Sequence, residues 1–117
     1  MQRKNANLAG EGAMPKVGER VLATKGDAWL YPATVGATDG ERCFVVFDDG
    51  DDAFVDAAAL RPLALAVGTR VLARSPTGRD FLPAQVLEAD EQMAHLQWDD
   101  GVDNWVTYAM LRLSPPA

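Results

Sequence analysis

The chain uses one short acidic turn twice, and that repetition constrains its fold more than any other feature. The first copy reads Phe47-Asp48-Asp49-Gly50-Asp51-Asp52, followed by Phe54-Val55. The second reads Trp98-Asp99-Asp100-Gly101-Val102-Asp103, followed by Trp105-Val106. In each, an aromatic ends an apolar run, Asp-Asp-Gly reverses the chain, and aromatic-Val restarts it. Glycine tolerates positive φ and aspartate bonds nearby backbone, so this is hairpin chemistry. The two turns stand 51 positions apart. A fixed period of that size marks a duplicated unit.

The rest of the chain repeats in the same order. Val17-Gly18-Glu19-Arg20-Val21-Leu22-Ala23 returns as Val67-Gly68-Thr69-Arg70-Val71-Leu72-Ala73. The spacing is one residue shorter here, so the second copy gains a residue before its acidic turn. The Lys25–Ala28 and Ser75–Arg79 loops are where an insertion is absorbed. A second strand follows from Trp29 to Val35 and from Asp80 to Val86, with Pro32 and Pro83 marking an edge or a bend. Third strands are expected at Arg42–Phe47 and Met93–Trp98, and short fourth strands at Ala53–Val55 and Asn104–Val106. The stretch Ala57-Ala58-Ala59 and its counterpart Tyr108-Ala109-Met110 are too short for a stable helix and suit one 3₁₀ turn. A last short strand near Arg61–Leu63 and Arg112–Leu113 completes each unit. Four or five short strands joined by tight turns signal a small barrel, and closure removes unpaired edges.

The expected fold class is therefore all-β, with two tandem five-stranded barrels. Residues 16–63 form the first and 67–114 the second. A short apolar connector, 64–66, lies between them. Units of about 50 residues bury little apolar surface and are marginal alone, so the two should dock. Residues 1–15 lack periodicity and are expected to be mobile. Phe54 and Trp105 are expected to fill the barrels, on a core-facing alternation counted from the turn.

Composition excludes several functions. The net charge of −6 argues against a phosphate-backbone binder and suits a basic partner. One cysteine, Cys43, excludes an intrachain disulfide, and one histidine, His95, leaves no zinc-binding set. Their counterparts in the duplicate, Ala94 and Phe44, are inert, so a buried thiol and a strand histidine are expected rather than a nucleophile and a base. No acid/base pair or nucleophile motif points to an enzyme, so no catalytic residue, metal or cofactor is expected. No apolar run reaches the length of a membrane span, and a soluble intracellular protein is expected.

The pattern Val-Gly-x-Arg-Val-x-Ala, Tyr-Pro-Ala-Thr-Val, Val-Val-Phe-Asp-Asp-Gly and Leu-Arg resembles Tudor domains and the related agenet modules. The resemblance spans Lys16 to about Ser114 and covers both copies, so the chain looks like a tandem Tudor protein. It implies two strongly bent, SH3-like barrels, no catalysis, and recognition of methylated lysine or arginine in an aromatic cage. A methylated cation keeps its charge, loses donors and gains apolar surface, which suits aromatic faces beside a carboxylate.

Carried over residue by residue, the resemblance places Tyr31 and Phe47 on cage positions and Asp49 on the carboxylate. Trp29 lies two residues before Tyr31, on the same strand face by period-two alternation. The aromatic usual after the first strand is Lys25 here, and Asp51 stands where an aromatic sometimes follows Asp-Asp-Gly. The expected ligand site is thus Trp29, Tyr31, Phe47, Asp49 and Asp51: a partial, acidic cage. In the second copy only Trp98 and Asp100 remain, since Leu82 replaces Tyr31, so that copy is expected to be structural or peptide-flanking. Arg61 and Arg112 are expected to pair with carboxylates. The leading function is recognition of a cationic peptide, with methylated lysine or arginine among its forms. The alternative is a scaffold indifferent to modification; nucleic-acid binding ranks below both because the aromatics sit among aspartates.

Overall fold

A computed structural model describes residues 14–114 of the chain. All but the last two residues of the expected mobile stretch 1–15 lie outside it. The first copy gives β1 (Arg20–Thr24), β2 (Leu30–Asp39), β3 (Arg42–Phe47), β4 (Asp52–Asp56) and β5 (Arg61–Pro62). The second gives β6 (Arg70–Ala73), β7 (Leu82–Ala89), β8 (Met93–Trp98), β9 (Asp103–Thr107) and β10 (Leu111–Arg112). Each set forms its own five-stranded antiparallel sheet, ordered β4-β3-β2-β1-β5 and β10-β6-β7-β8-β9. Among the described residues the only helical pieces are two three-residue 3₁₀ turns, Ala57–Ala59 and Tyr108–Met110. No described helix is long and apolar enough to cross a membrane.

The paired acidic turns close as their composition demands. Gly50 and Gly101 take φ of 100° and 94°, a region that favours glycine. Their N–H groups donate to the carbonyls of Phe47 and Trp98, each at 2.9 Å. The side chains of Asp49 and Asp100 accept from the N–H two residues on, at 3.1 and 2.9 Å. Both sheets bend at the same place. The register of β2 slips between Val35 and Ala37, and that of β7 between Val86 and Glu88. Such a bulge lets one long strand serve two partners. Pro32 lies just past the last β2–β3 pair, Ala33 with Phe47, where its missing N–H breaks no ladder bond to β3.

Each sheet wraps its own core. The first is Val21, Ala23, Ala33, Val35, Cys43, Val45 and Phe47. Burial pushes the Cys43 thiol pKa up, as expected of an inert core cysteine. The second core is built around Leu96, Trp98, Val106 and Leu111, and it also takes in Leu22 and Leu30 from the first copy. Leu30 and Leu113 exchange both backbone bonds, at 2.8 and 2.9 Å, and so stitch the end of the second copy to β2. Leu65 of the connector packs on the same core. Sealing Leu22 and Leu30 from water stabilises the docked pair by about 1.5–3 kcal/mol each.

One expectation is corrected. Phe54 and Trp105 do not fill the barrels: they are 53% and 38% exposed. The inward residues of β3 are Cys43, Val45 and Phe47, so Phe44 faces out, and Phe54 lies directly opposite Phe44. His95 and Trp105 repeat the arrangement. An alternation counted from the turn was one residue out of phase, and a one-residue shift moves every side chain to the other face.

Candidate functional site

The end of β1, the start of β2, the end of β3 and the acidic turn meet at one corner of the first barrel. Tyr31 and Ala33 share a face of β2, and Ala33 pairs with Phe47, so the two rings are neighbours. They meet edge to face, with centroids 6.1 Å apart and planes at 87°. Lys25, the first residue past β1, folds its side chain back over both. Its Nζ lies 4.6 Å from the Tyr31 centroid and 4.9 Å from that of Phe47. The same ammonium donates to Asp49 Oδ2, and to Asp51 Oδ2 at 2.7 Å. Two rings and two carboxylates thus hold one cation, and that cation belongs to the chain itself. Beside it opens a cleft of about 380 Å³ lined by Lys25, Phe47, Gly50, Asp51, Asp52 and Ala53.

The electrostatics fit a held charge. Burial disfavours the Lys25 ammonium, but the bonds to Asp49 and then Asp51 outweigh it and raise its pKa. Burial, the largest single influence, works against the Asp49 carboxylate, but the Lys25 bond, the Asp51 N–H and the nearby Lys25 charge together outweigh it, so Asp49 sits below the usual carboxylate range. Behind the rings, the Tyr31 hydroxyl donates to Asp27 Oδ2 at 2.6 Å. That bond is the main cause holding Asp27 below its ordinary value. Burial, with Asp27 second, pushes the Tyr31 phenol up.

Trp29 does not join this group. It precedes the first residue of β2, its N–H donates to Asp27 Oδ1 at 2.9 Å, and strand alternation does not reach it. Its ring faces Arg112 of the second copy instead. The Arg112 guanidinium carbon lies 5.0 Å from the Trp29 centroid and 4.3 Å from that of Phe81. Arg112 also reaches toward the Tyr31 hydroxyl, at 3.5 Å. The expected carboxylate pairing of Arg112 is therefore replaced by two aromatic faces, a sandwich that guanidinium planes favour. Arg61 is exposed and, among the described residues, reaches only the carbonyl of Leu60, at 3.5 Å. A second guanidinium, Arg20, is held by Asp48 through two bonds of 2.6 Å and lies 5.6 Å from the Tyr108 ring.

The second copy gathers no such corner. Trp98 is buried, and its indole N–H donates to the Ala73 carbonyl at 2.9 Å. Asp100 spends one oxygen inside its own turn. Leu82, the counterpart of Tyr31, is exposed. Among the described residues no group of three or more His, Cys, Asp or Glu side chains is placed to hold a metal ion.

Among solved structures, the tandem tudor domains of Crb2 match this chain with a TM-score of 0.61. The match covers 88% of this chain and 83% of that one, at 20% identity. The fold is that of tandem Tudor domains. Looser matches are Arabidopsis thaliana AGDP1 AGD34, with 15% identity over 83% of this chain and 80% of that one, and a TM-score of 0.40. The ADCP1 tandem Agenet domain 3-4 follows, at 16% identity over 83% and 78%, with a TM-score of 0.38. No family model matches the sequence, and no curated protein matches it.

Within this Tudor-like frame, sequence reasoning missed two parts of the corner. Lys25 reads along the sequence as a missing aromatic, whereas in space its long side chain reaches over Tyr31 and Phe47 to Asp49 and Asp51. Asp27 lies in the Lys25–Ala28 loop, which the sequence marks only as a turn, yet its carboxylate accepts from the Tyr31 hydroxyl.

Proposed function

We propose that the protein is a non-enzymatic recognition module for a basic partner, and that the first barrel takes a cationic side chain between Tyr31, Phe47, Asp49 and Asp51. The second barrel, residues 67–114, braces the first. The observation that carries the reading is the position of Lys25: the corner already holds an alkylammonium by the forces a ligand would use. Methylated lysine suits it better than the unmodified form. Methyl groups keep the attraction to the rings and add apolar contact with them, while weakening only the donor bonds. A ligand enters by displacing one side chain, which lies at the edge of an exposed loop. The net charge of −6 favours approach of a basic segment and disfavours nucleic acid.

The test is a calorimetric titration of the whole chain with matched peptides bearing unmodified, methylated and acetylated lysine, and unmodified and methylated arginine. Affinity should follow retained charge and methylation, and Tyr31→Ala should weaken it several-fold. A ligand that binds Tyr31→Ala as well as the parent moves the protein to a modification-independent scaffold. The exposed Phe54, Leu82 and Trp105 are what favour that second reading.

A further inference from the structure

The outward faces of β3–β4 and β8–β9 carry a second aromatic feature, and the two copies differ there in an informative way. In the first, Phe44 and Phe54 lie 5.2 Å apart across the strands, and the Arg42 guanidinium sits 5.4 Å from the Phe54 centroid. In the second, His95 and Trp105 stack at 5.1 Å with planes 13° apart. Both pairs sit in the same register, each directly across its ladder. Two residues before Phe44 stands Arg42; two residues before His95 stands Met93. The second copy thus has the larger ring and lacks the guanidinium that covers it in the first. It has carboxylates at the ring instead, one of which, Asp103, is matched by Asp52 in the first copy. Asp103 Oδ1 lies 3.1 Å from His95 Nε2, and Glu88 Oε2 lies 3.9 Å from Nδ1. Both acidic side chains are more than half exposed. The first copy has Ala37 where the second has Glu88.

We propose that the Trp105–His95 shelf is a binding site for an arginine side chain presented by a basic protein partner. The ring supplies a π face, which guanidinium planes stack on readily. Glu88 and Asp103 supply the countercharge and accept the guanidinium N–H donors. The place the ligand would take is the one Arg42 takes on the first barrel. The shelf lies on the outer face of β8–β9 and shares no residue with the Lys25 corner, so its binding does not depend on that corner being open.

The test is an amide-and-indole NMR titration of the full chain with a short arginine peptide and with the same peptide carrying citrulline, which keeps the shape and loses the charge. The arginine peptide should shift the Trp105 indole and the β8–β9 amides, and citrulline should not. Trp105→Ala, at an exposed ring, should weaken the response about five- to ten-fold. Met93→Arg should supply the guanidinium from within and weaken it as much. Arg42→Met should uncover Phe54 and add a second set of shifts on β3–β4. Shifts confined to Lys25 and Tyr31 would assign the arginine to the first corner and overturn the shelf. Undiminished binding to Met93→Arg, equal binding of citrulline, or no shift at all would overturn it as well.

Discussion

Lys25→Ala should loosen the fold and tighten binding, and the opposite signs make it the most discriminating substitution. The gross grip on the ammonium follows from its four partners. Two ring contacts at 4.6 and 4.9 Å are worth about 0.5–1 kcal/mol each at a partly exposed site. The Asp49 and Asp51 bonds contribute about 0.2–1 kcal/mol each, discounted because Asp51 is 69% exposed. Ordering a lysine side chain costs about 1.5–2 kcal/mol in return. The net hold is about 1 kcal/mol, which a ligand must overcome to enter. Since about 1.4 kcal/mol is tenfold in affinity, Lys25→Ala should bind a trimethyllysine peptide about five-fold more tightly. It should also unfold about 1 kcal/mol more easily, because the Phe47 face loses its cover. Calorimetry gives the first number and denaturant melts the second. Unchanged or weaker binding by the variant would refute the idea that Lys25 stands in for a ligand.

Four further outcomes check the surrounding structure. Asp49 has its carboxyl pKa lowered in the fold, so the stability it contributes is present above the ordinary 3.8 and is lost as pH falls through the lower folded value. The stability gap between the parent and Asp49→Asn should therefore close in acid, read by melts across pH; a gap that widens there would contradict the pairing. Asp27→Asn should lower the Tyr31 phenol toward 10.0 while Tyr108, also raised by burial, stays put, as followed by phenolate absorbance. Trp98→Ala should cost about 3–5 kcal/mol, as a buried ring with a bonded indole does, and a loss below about 1 kcal/mol would remove Trp98 from the core. Leu30→Ala should cost about 2–5 kcal/mol and speed amide exchange in β6–β10, although Leu30 belongs to the first copy.

What the sequence made legible was local. The acidic turns, the third strands at Arg42–Phe47 and Met93–Trp98 and the two 3₁₀ turns follow from residues close together along the chain. Turn chemistry and short-range alternation suffice for them. The destination of Trp29 is different, because its partner Arg112 lies in the other copy and nothing in Ala28-Trp29-Leu30 names it. The outward phase of Phe54 and Trp105 depended on how many residues the turn consumes, a count that the ladder register fixes. Phe47 shows a third limit. The resemblance to Tudor domains implies a cage position for it, yet it is 2% exposed and part of the first core. Phe47→Ala would therefore disturb folding and binding together, and Tyr31, half-buried at the rim, is the cleaner probe.

The two copies have spent the same aromatic position differently, and this explains why one corner holds a cation and the other does not. Phe47 has no polar side-chain atom to satisfy, so its ring can be closed over by Tyr31 and Lys25 alone. Trp98 carries an N–H that needs a partner when buried, and it finds the Ala73 carbonyl. That bond satisfies the larger ring within the larger of the two cores, the one that also takes in Leu22 and Leu30. A barrel this small has little stability to spare, and a corner of charged side chains adds little to it. Docking supplies the difference, and it reaches the corner directly. Arg112 stacks on Trp29 and approaches the Tyr31 hydroxyl, which in turn is bonded to Asp27. One wall of the first barrel's cation corner is thereby held from the second barrel, so the pair, rather than either copy, is the unit that sets its geometry.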